Sequence, residues 1–467
     1  MRRGIRWLNA GMLTLSATLI GGGAAPADEP KLSAPATLLA GDRPHIRVSG
    51  LTPRSPVVIE SFRSVSQSVN TKGEWSTVRP VFHASATFWA DSRGRVDVDR
   101  ASPVSGSYTG ADPRGLLWSG TVPGRNGAPA EAPDADIPNA ATLSEGKIVL
   151  RVRVADKVVA TSEIKRVLDL GPIRYQTVDM PDLVGIYAAP AGARDAPTVI
   201  VLHGSEGGDF DDAKKAAGLY ASHGYATLAV MYFSWPYKNL KNVPTGFSHL
   251  PLERISIARD WLSKQHEADV KRLAIVGASK GSEFGLLAAS RYPWVKAVVA
   301  CVPTSVVWGA FGVASEGDGA AFTFAGKSLS GVPYGDYDAV MRHDITSAER
   351  HRRDYASAGS ALIDKAAIPV ERIGGPILLI SGARDAIWPS DPMAAQIVDR
   401  LAEHGKTAEW LSFVDAGHFV CGTGDSPVRY YDGDEIMSAG GSVAGNGHGA
   451  GQAWEATLAF LGKTLRR

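Results

Sequence analysis

The sequence predicts an α/β fold, a mostly parallel sheet with helices on both faces and a cap insertion, preceded by an all-β immunoglobulin-like sandwich. Three observations carry that prediction. Residues 30–168 hold short alternating or β-branched runs punctuated by Gly, Pro, Asn and Asp. From about residue 172 onward, apolar strands alternate with helical patterns. One of those strands, ending at Val276, runs into Gly277-Ala278-Ser279-Lys280-Gly281 and then into a helical stretch.

The chain opens with Met1-Arg2-Arg3-Gly4-Ile5-Arg6-Trp7, continues with a short apolar run to about Gly23, and offers a small-residue exit at Ala25-Pro26-Ala27. A basic head, an apolar middle and a small-x-small exit make a secretory signal peptide over residues 1–27, so export to the periplasm or the extracellular space is expected. The run is too short and too rich in glycine and threonine to span a bilayer well, so no stable membrane insertion is expected after cleavage. Loss of Arg2, Arg3 and Arg6 turns the net charge of +1 into about −2. No clustered basic charge points to nucleic acid.

Residues 28–170 read as the sandwich, with strands at 45–48, 57–61, 84–89, 96–98 and 147–154 and a Pro/Ala/Asp-rich loop at 122–145. Residues 171–467 read as the α/β half. Its strands fall at 198–202, 226–230, 273–276, 297–301, 377–381 and 409–413, and its helices near 211–223, 252–265, 283–291, 393–403 and 451–465. Residues 303–372 break the rhythm and read as a cap over the carboxyl edge of the sheet, where ligands enter such folds.

Two cysteines, Cys301 and Cys421, are present, and neither sits in a metal-type spacing. After export they either form one disulfide or stay as two buried thiols. No metal or cofactor pattern is found among the cysteines and the eleven histidines.

The strand–Gly-x-Ser-x-Gly–helix pattern is that of a nucleophile elbow, with Ser279 as nucleophile. A serine hydroxyl needs a histidine to take its proton and a carboxylate to hold that histidine. Asp385 follows the strand at 377–381, and His418 follows the strand at 409–413, giving the order Ser, Asp, His. Asp391 competes with Asp385 but reads as the cap of a helix starting near Pro392. Asp415 reads as closing a turn, His448 as lying in a glycine-rich loop, and the other histidines as structural. The oxyanion hole needs two backbone N–H groups. Lys280 is expected to supply one and Ser205, in His203-Gly204-Ser205-Glu206-Gly207-Gly208, the other, with Glu206 as second choice.

With these residues assigned, the chain resembles the acyl-CoA thioesterase and bile acid-CoA:amino acid N-acyltransferase family, whose catalytic half has the α/β-hydrolase fold. The motifs that carry the likeness are Gly277-Ala278-Ser279-Lys280-Gly281-Ser282-Glu283, Gly382-Ala383-Arg384-Asp385-Ala386-Ile387-Trp388 and Ala416-Gly417-His418-Phe419. In the β-rich half, residues 106–119 (GSYTGADPRGLLWS) are similar to the signature of the family's amino-terminal domain. The resemblance implies acyl thioester hydrolysis through an acyl-enzyme, because the transferase branch has cysteine where Ser279 stands. It also implies a small-molecule acyl thioester or ester as the partner, no cofactor, and no particular oligomeric state. Export separates the chain from intracellular acyl-CoA, so an exported carboxylesterase is the alternative. An amino acid N-acyltransferase and a non-catalytic binding protein rank behind both.

Overall fold

The computed structural model describes residues 29–71, 74–124, 137–312, 318–335, 337–429 and 439–466. The expected signal peptide, residues 1–27, lies outside them, as does the middle of the loop at 122–145. Among the described residues, no helix is long and apolar enough to cross a membrane.

In the amino-terminal half, a three-stranded sheet (Lys31–Ser33, Arg47–Ser49, Val96–Asp97) faces a six-stranded one built around Pro56–Ser64, Val81–Trp89, Lys147–Val154 and Lys157–Val167. Alternation in Val81–Trp89 buries every second residue, Phe82, Ala84, Ala86 and Phe88, and turns the others outward. Ala84, Ala86 and Phe88 pack against Ile46 and Val48 of the smaller sheet and Ile148, Leu150 and Val152 of the larger, which makes a sandwich core.

The second half holds an eight-stranded sheet. Its strands are β1 (Ile173–Met180), β2 (Leu183–Pro190), β3 (Ala196–Leu202), β4 (Ala226–Val230), β5 (Ala268–Ala278), β6 (Ala297–Cys301), β7 (Ile377–Gly382) and β8 (Glu409–Phe413). Their spatial order is β1-β2-β4-β3-β5-β6-β7-β8, with β1–β2 and β2–β4 antiparallel and the remainder parallel. Central strands such as β4 and β6 are buried at every position, as strands covered on both faces must be. One face packs Ile200, Ile275, Val298 and Leu379 against α2 (Glu253–Leu262), α3 (Lys280–Ala289) and α4 (Ser390–Glu403). The other packs Val199, Ala274, Val299 and Leu378 against α1 (Phe210–Ser222) and α5 (Val443–Leu465). This is the α/β-hydrolase arrangement. Between β6 and β7, residues 303–372 supply short strands and the helices Asp338–Met341, Ser347–Ser357 and Ser360–Ala366.

Two expectations need correction. α5 begins at Val443 rather than near residue 451, so His448 lies in a helix and not in a loop. A Cβ at Gly445 would lie 2.1 Å from the Asp415 carbonyl oxygen, and one at Gly447 would lie 2.3 Å from the Trp118 ring. The glycines that read as loop are there because the helix packs too closely for side chains. Asp391 does not cap α4: the helix starts at Ser390, and Asp391 accepts hydrogen bonds from Ser381 (2.7 Å) and Ser412 (2.6 Å).

The signature at residues 106–119 joins the two halves. The Asp112 carboxylate accepts from Trp118 Nε1 at 2.9 Å and meets His448 of α5 at 2.5 Å, and Arg114 pairs with Glu455 of the same helix at 2.9 Å. A second tie is Asp425, fully buried, which takes two bonds from Arg166 at 2.6 and 3.0 Å. Burial alone would push the Asp425 carboxyl up. The guanidinium of Arg166 outweighs it and brings the carboxyl down to about 2. A depressed carboxylate stabilises the fold above its unfolded value of about 4 and loses that contribution as pH falls toward 2. Asp425→Asn should therefore cost about 3–5 kcal/mol near neutral pH by chemical denaturation, with the gap to the parent narrowing, but not vanishing, as pH falls from about 4 to 2.

Candidate active site

β5 delivers Ser279 to the carboxyl edge of the sheet, and α3 begins at the next residue. Ser279 sits at φ 55°, ψ −124°, a conformation L-residues rarely adopt. Its N–H donates to the Cys301 carbonyl at 3.0 Å, and its own carbonyl accepts from the N–H of Ser282 and Glu283 at 2.9 and 3.2 Å. The flanking glycines are dictated by close approach. A Cβ on Gly277 would lie 2.2 Å from the Gly281 carbonyl oxygen, and one on Gly281 would lie 2.5 Å from those of Leu202 and His203.

Asp385 stands in the loop after β7, buried, with its oxygens fully engaged. Oδ1 accepts from the N–H of Ile387 (2.9 Å) and Trp388 (3.2 Å), and Oδ2 from the Ser390 hydroxyl (2.7 Å) and His418 Nδ1 (2.8 Å). Because a carboxylate only accepts, Nδ1 of His418 carries the hydrogen and Nε2 is left to take a proton. His418 follows β8, and its ring and that of Trp388 stand roughly perpendicular with centroids 6.1 Å apart. The structure thus brings Asp385 and His418 into direct contact and sets Ser279 two strands away from β7 on the same edge.

Four further residues support this edge. Asn446 of α5 accepts from the Gly417 N–H at 2.7 Å and donates to the Gly440 carbonyl at 3.0 Å, fixing the backbone beside His418. Ser390 completes the shell of Asp385. Cys301 and Cys421 form a disulfide, tying the end of β6, whose carbonyl holds Ser279, to the loop of His418. Only the cysteine pair had a signal in the sequence; a serine in a helix's first turn and an asparagine in a glycine-rich run have none.

The loop after β3 runs alongside Ser279. A Cβ on Gly204 would lie 3.4 Å from that of Ser279. The Ser205 carbonyl accepts from Trp235 Nε1 at 2.9 Å, and the Gly207 carbonyl from Lys238 Nζ at 2.8 Å, so the loop is held from outside. Lys280, at the first position of α3, has an N–H without an intrahelical acceptor. Its side chain turns inward, bonding Glu283 at 2.7 Å among the rings of Phe247, Phe311, Tyr334 and Trp388, 4.9–5.7 Å away. Burial works to lower the Lys280 ammonium, but Glu283 outweighs it and holds it above its ordinary range.

Residues 251–467 match the profile described as BAAT / acyl-CoA thioester hydrolase C terminal, and residues 42–178 that of the acyl-CoA thioester hydrolase/BAAT N-terminal region. Together the two matches take up most of the chain, in the family's own order. The chain belongs to the acyl-CoA thioester hydrolase/BAAT family. It is similar to acyl-coenzyme A thioesterase 1 of Mus musculus, 28% identical over 80% of this chain and 81% of that one. It is also similar to the mouse peroxisomal succinyl-coenzyme A thioesterase (26%, covering 90% and 93%) and acyl-coenzyme A amino acid N-acyltransferase 1 (26%, covering 83% and 86%). Among solved structures, an acylaminoacyl peptidase of Pyrococcus horikoshii is similar at 12% identity and a TM-score of 0.40, over 91% of this chain and 60% of that one.

The disulfide closes a loop of 120 residues in this family member, and the chain-entropy account gives such a link about 4–5 kcal/mol. Cys421→Ser, or reduction of the parent, should lower the unfolding midpoint in a denaturant titration by a matching amount. The mutant and the reduced parent should coincide.

Proposed function

We propose that this chain is a serine hydrolase that cleaves acyl thioesters through Ser279, His418 and Asp385. The observation that carries the reading is geometric: a strained serine between β5 and α3, and a histidine bonded to a buried aspartate, all at the carboxyl ends of strands in one sheet. Membership of the acyl-CoA thioester hydrolase family and the names of its thioesterase relatives support the thioester as substrate class.

In this reading His418 Nε2 takes the Ser279 proton as Oγ attacks the thioester carbonyl, while Asp385 fixes the ring and stabilises its charged form. The N–H groups of Lys280 and Ser205 stabilise the oxyanion. The thiol leaves with the proton from His418, and an acyl-serine ester remains. Water, deprotonated by His418, attacks that ester and releases the acid.

Residues 1–27 favour a second reading. If the chain is exported, acyl-CoA is scarce where it works, and the same machinery serves as a carboxylesterase or other acyl hydrolase without CoA. Side-by-side rates on acyl-CoAs of several chain lengths and on simple esters separate the two.

Ser279→Ala should lower kcat/KM by about 10³-fold or more on every substrate, and Asp385→Asn should do the same without loss of fold by circular dichroism. A fluorophosphonate should add one covalent mass to the Ser279 peptide alone. Wild-type turnover in Ser279→Ala would overturn the assignment.

A further inference from the structure

A cavity of about 270 Å³ lies between the loop after β3 and the first turns of α1, lined by His203, Glu206, Asp209 and Asp212 over a floor of alanines and Met231. Glu206 connects it to the nucleophile. Its Oε1 accepts the Gly204 N–H at 2.8 Å, and a methyl group built on Gly204 would lie 2.6 Å from its Oε2 and 3.4 Å from the Cβ of Ser279. No more than a methyl group's width therefore separates this carboxylate from the side chain of the nucleophile.

The polar lining consists of acceptors. His203 Nδ1 lies 2.9 Å from the Gly204 carbonyl, so Nδ1 carries the hydrogen and Nε2 is a bare acceptor. That Nε2 is buried, has no hydrogen-bond partner among the described residues, and points toward Gly208, another lining residue, where a Cβ would lie 3.1 Å away. Burial pushes the His203 imidazole down to about 4, which keeps it neutral at ordinary pH. Asp209 is paired with Lys238 at 3.1 Å and Asp212 with Lys215 at 2.8 Å. Glu206 is exposed, bonds the neutral Gly204 N–H and forms no ion pair among the described residues, so a cation brought beside it meets a carboxylate shared with water alone. A ligand that fits must bring both donors and positive charge, together with a short apolar stem for the alanine floor.

We infer that this cavity is a subsite for a protonated amine carried by the substrate, with Glu206 at its mouth beside Ser279. The inference rests on Ser279 being the nucleophile and adds to that reading a substrate class: acyl esters or thioesters with an ammonium group a few bonds from the carbonyl.

Two isosteric pairs of probes test it and locate the amine. β-Alanyl and butyryl p-nitrophenyl esters differ by an ammonium on the acyl side. The propionate esters of 3-(dimethylamino)propanol and 4-methylpentanol differ by a protonated amine on the leaving side. In one pair, the charged member should exceed its neutral isostere about tenfold or more in kcat/KM, after correction for uncatalysed hydrolysis. Glu206→Gln should bring that ratio near one and Glu206→Lys should invert it. A ratio within one variant cancels any change in the amount of active enzyme. Equal rates within both wild-type pairs, or a ratio unmoved by Glu206→Gln, would overturn the subsite while hydrolysis of the neutral esters continued. Absence of turnover on all four, with Ser279 unlabelled by fluorophosphonate, would instead remove the nucleophile and the subsite with it.

Discussion

The approach of two backbones at the elbow sets the rest of the site. Gly281 at the start of α3 passes so near the carbonyls of Leu202 and His203 that no side chain fits between them. That contact holds α3 directly over the end of β3 and forces the turn between β5 and α3 into one residue, Ser279, at φ 55°. A conformation of this kind costs about 1–3 kcal/mol and persists because its surroundings leave no alternative. The N–H of Ser279 is spent on Cys301 and its carbonyl on Ser282 and Glu283, so the hydroxyl is the polar group of that residue left to face the cleft.

The same turn couples the sheet to its cap. Lys280 presents its N–H at the elbow and sends its ammonium the other way, into rings from the cap and the acid loop. Glu283, one helical turn on, accepts the Lys280 ammonium with one oxygen and the Trp308 N–H of the cap with the other. Two ions this deep are weak evidence for stability, since their mutual attraction is largely consumed by desolvation. Their geometric effect is firmer. Each satisfies the other, and together they leave the first segment of the cap one seat on α3.

How much of this was legible in the sequence follows from the range of each interaction. The places of Ser279, Asp385 and His418 at strand ends were readable because each is announced locally, by a strand before it and a turn or helix after it. Lys157–Val167 was missed because its exposed positions carry charged and polar residues that blur the alternation. The first two turns of α5 were unreadable in principle. Their glycines serve contacts with Asp415 and Trp118, residues far away in sequence, and a pattern of glycines without those partners reads as loop. The pairing of Cys301 with Cys421 is likewise a fact about the sheet, whose order sets the end of β6 beneath the loop that follows β8. Glu206 was legible as part of a tight turn, but its carboxylate acquires meaning from Ser279, which reaches it through the parallel pairing of β3 with β5.

That pattern accounts for the company the two halves keep. The signature of the β-rich half, residues 106–119, spends Asp112, Arg114 and Trp118 on α5. α5 in turn spends Asn446 on the Gly417 backbone, one residue before His418, and on Gly440, which bridges to Asp385. The chain of contacts from sandwich to histidine is continuous: Trp118 against Gly447, Gly447 beside Asn446, Asn446 on Gly417. A loop after the last strand of a sheet, such as that of His418, lacks a strand beyond it for support. Here α5 supplies that support, and the sandwich holds α5. The β-rich half therefore supports, through α5, the edge that carries His418.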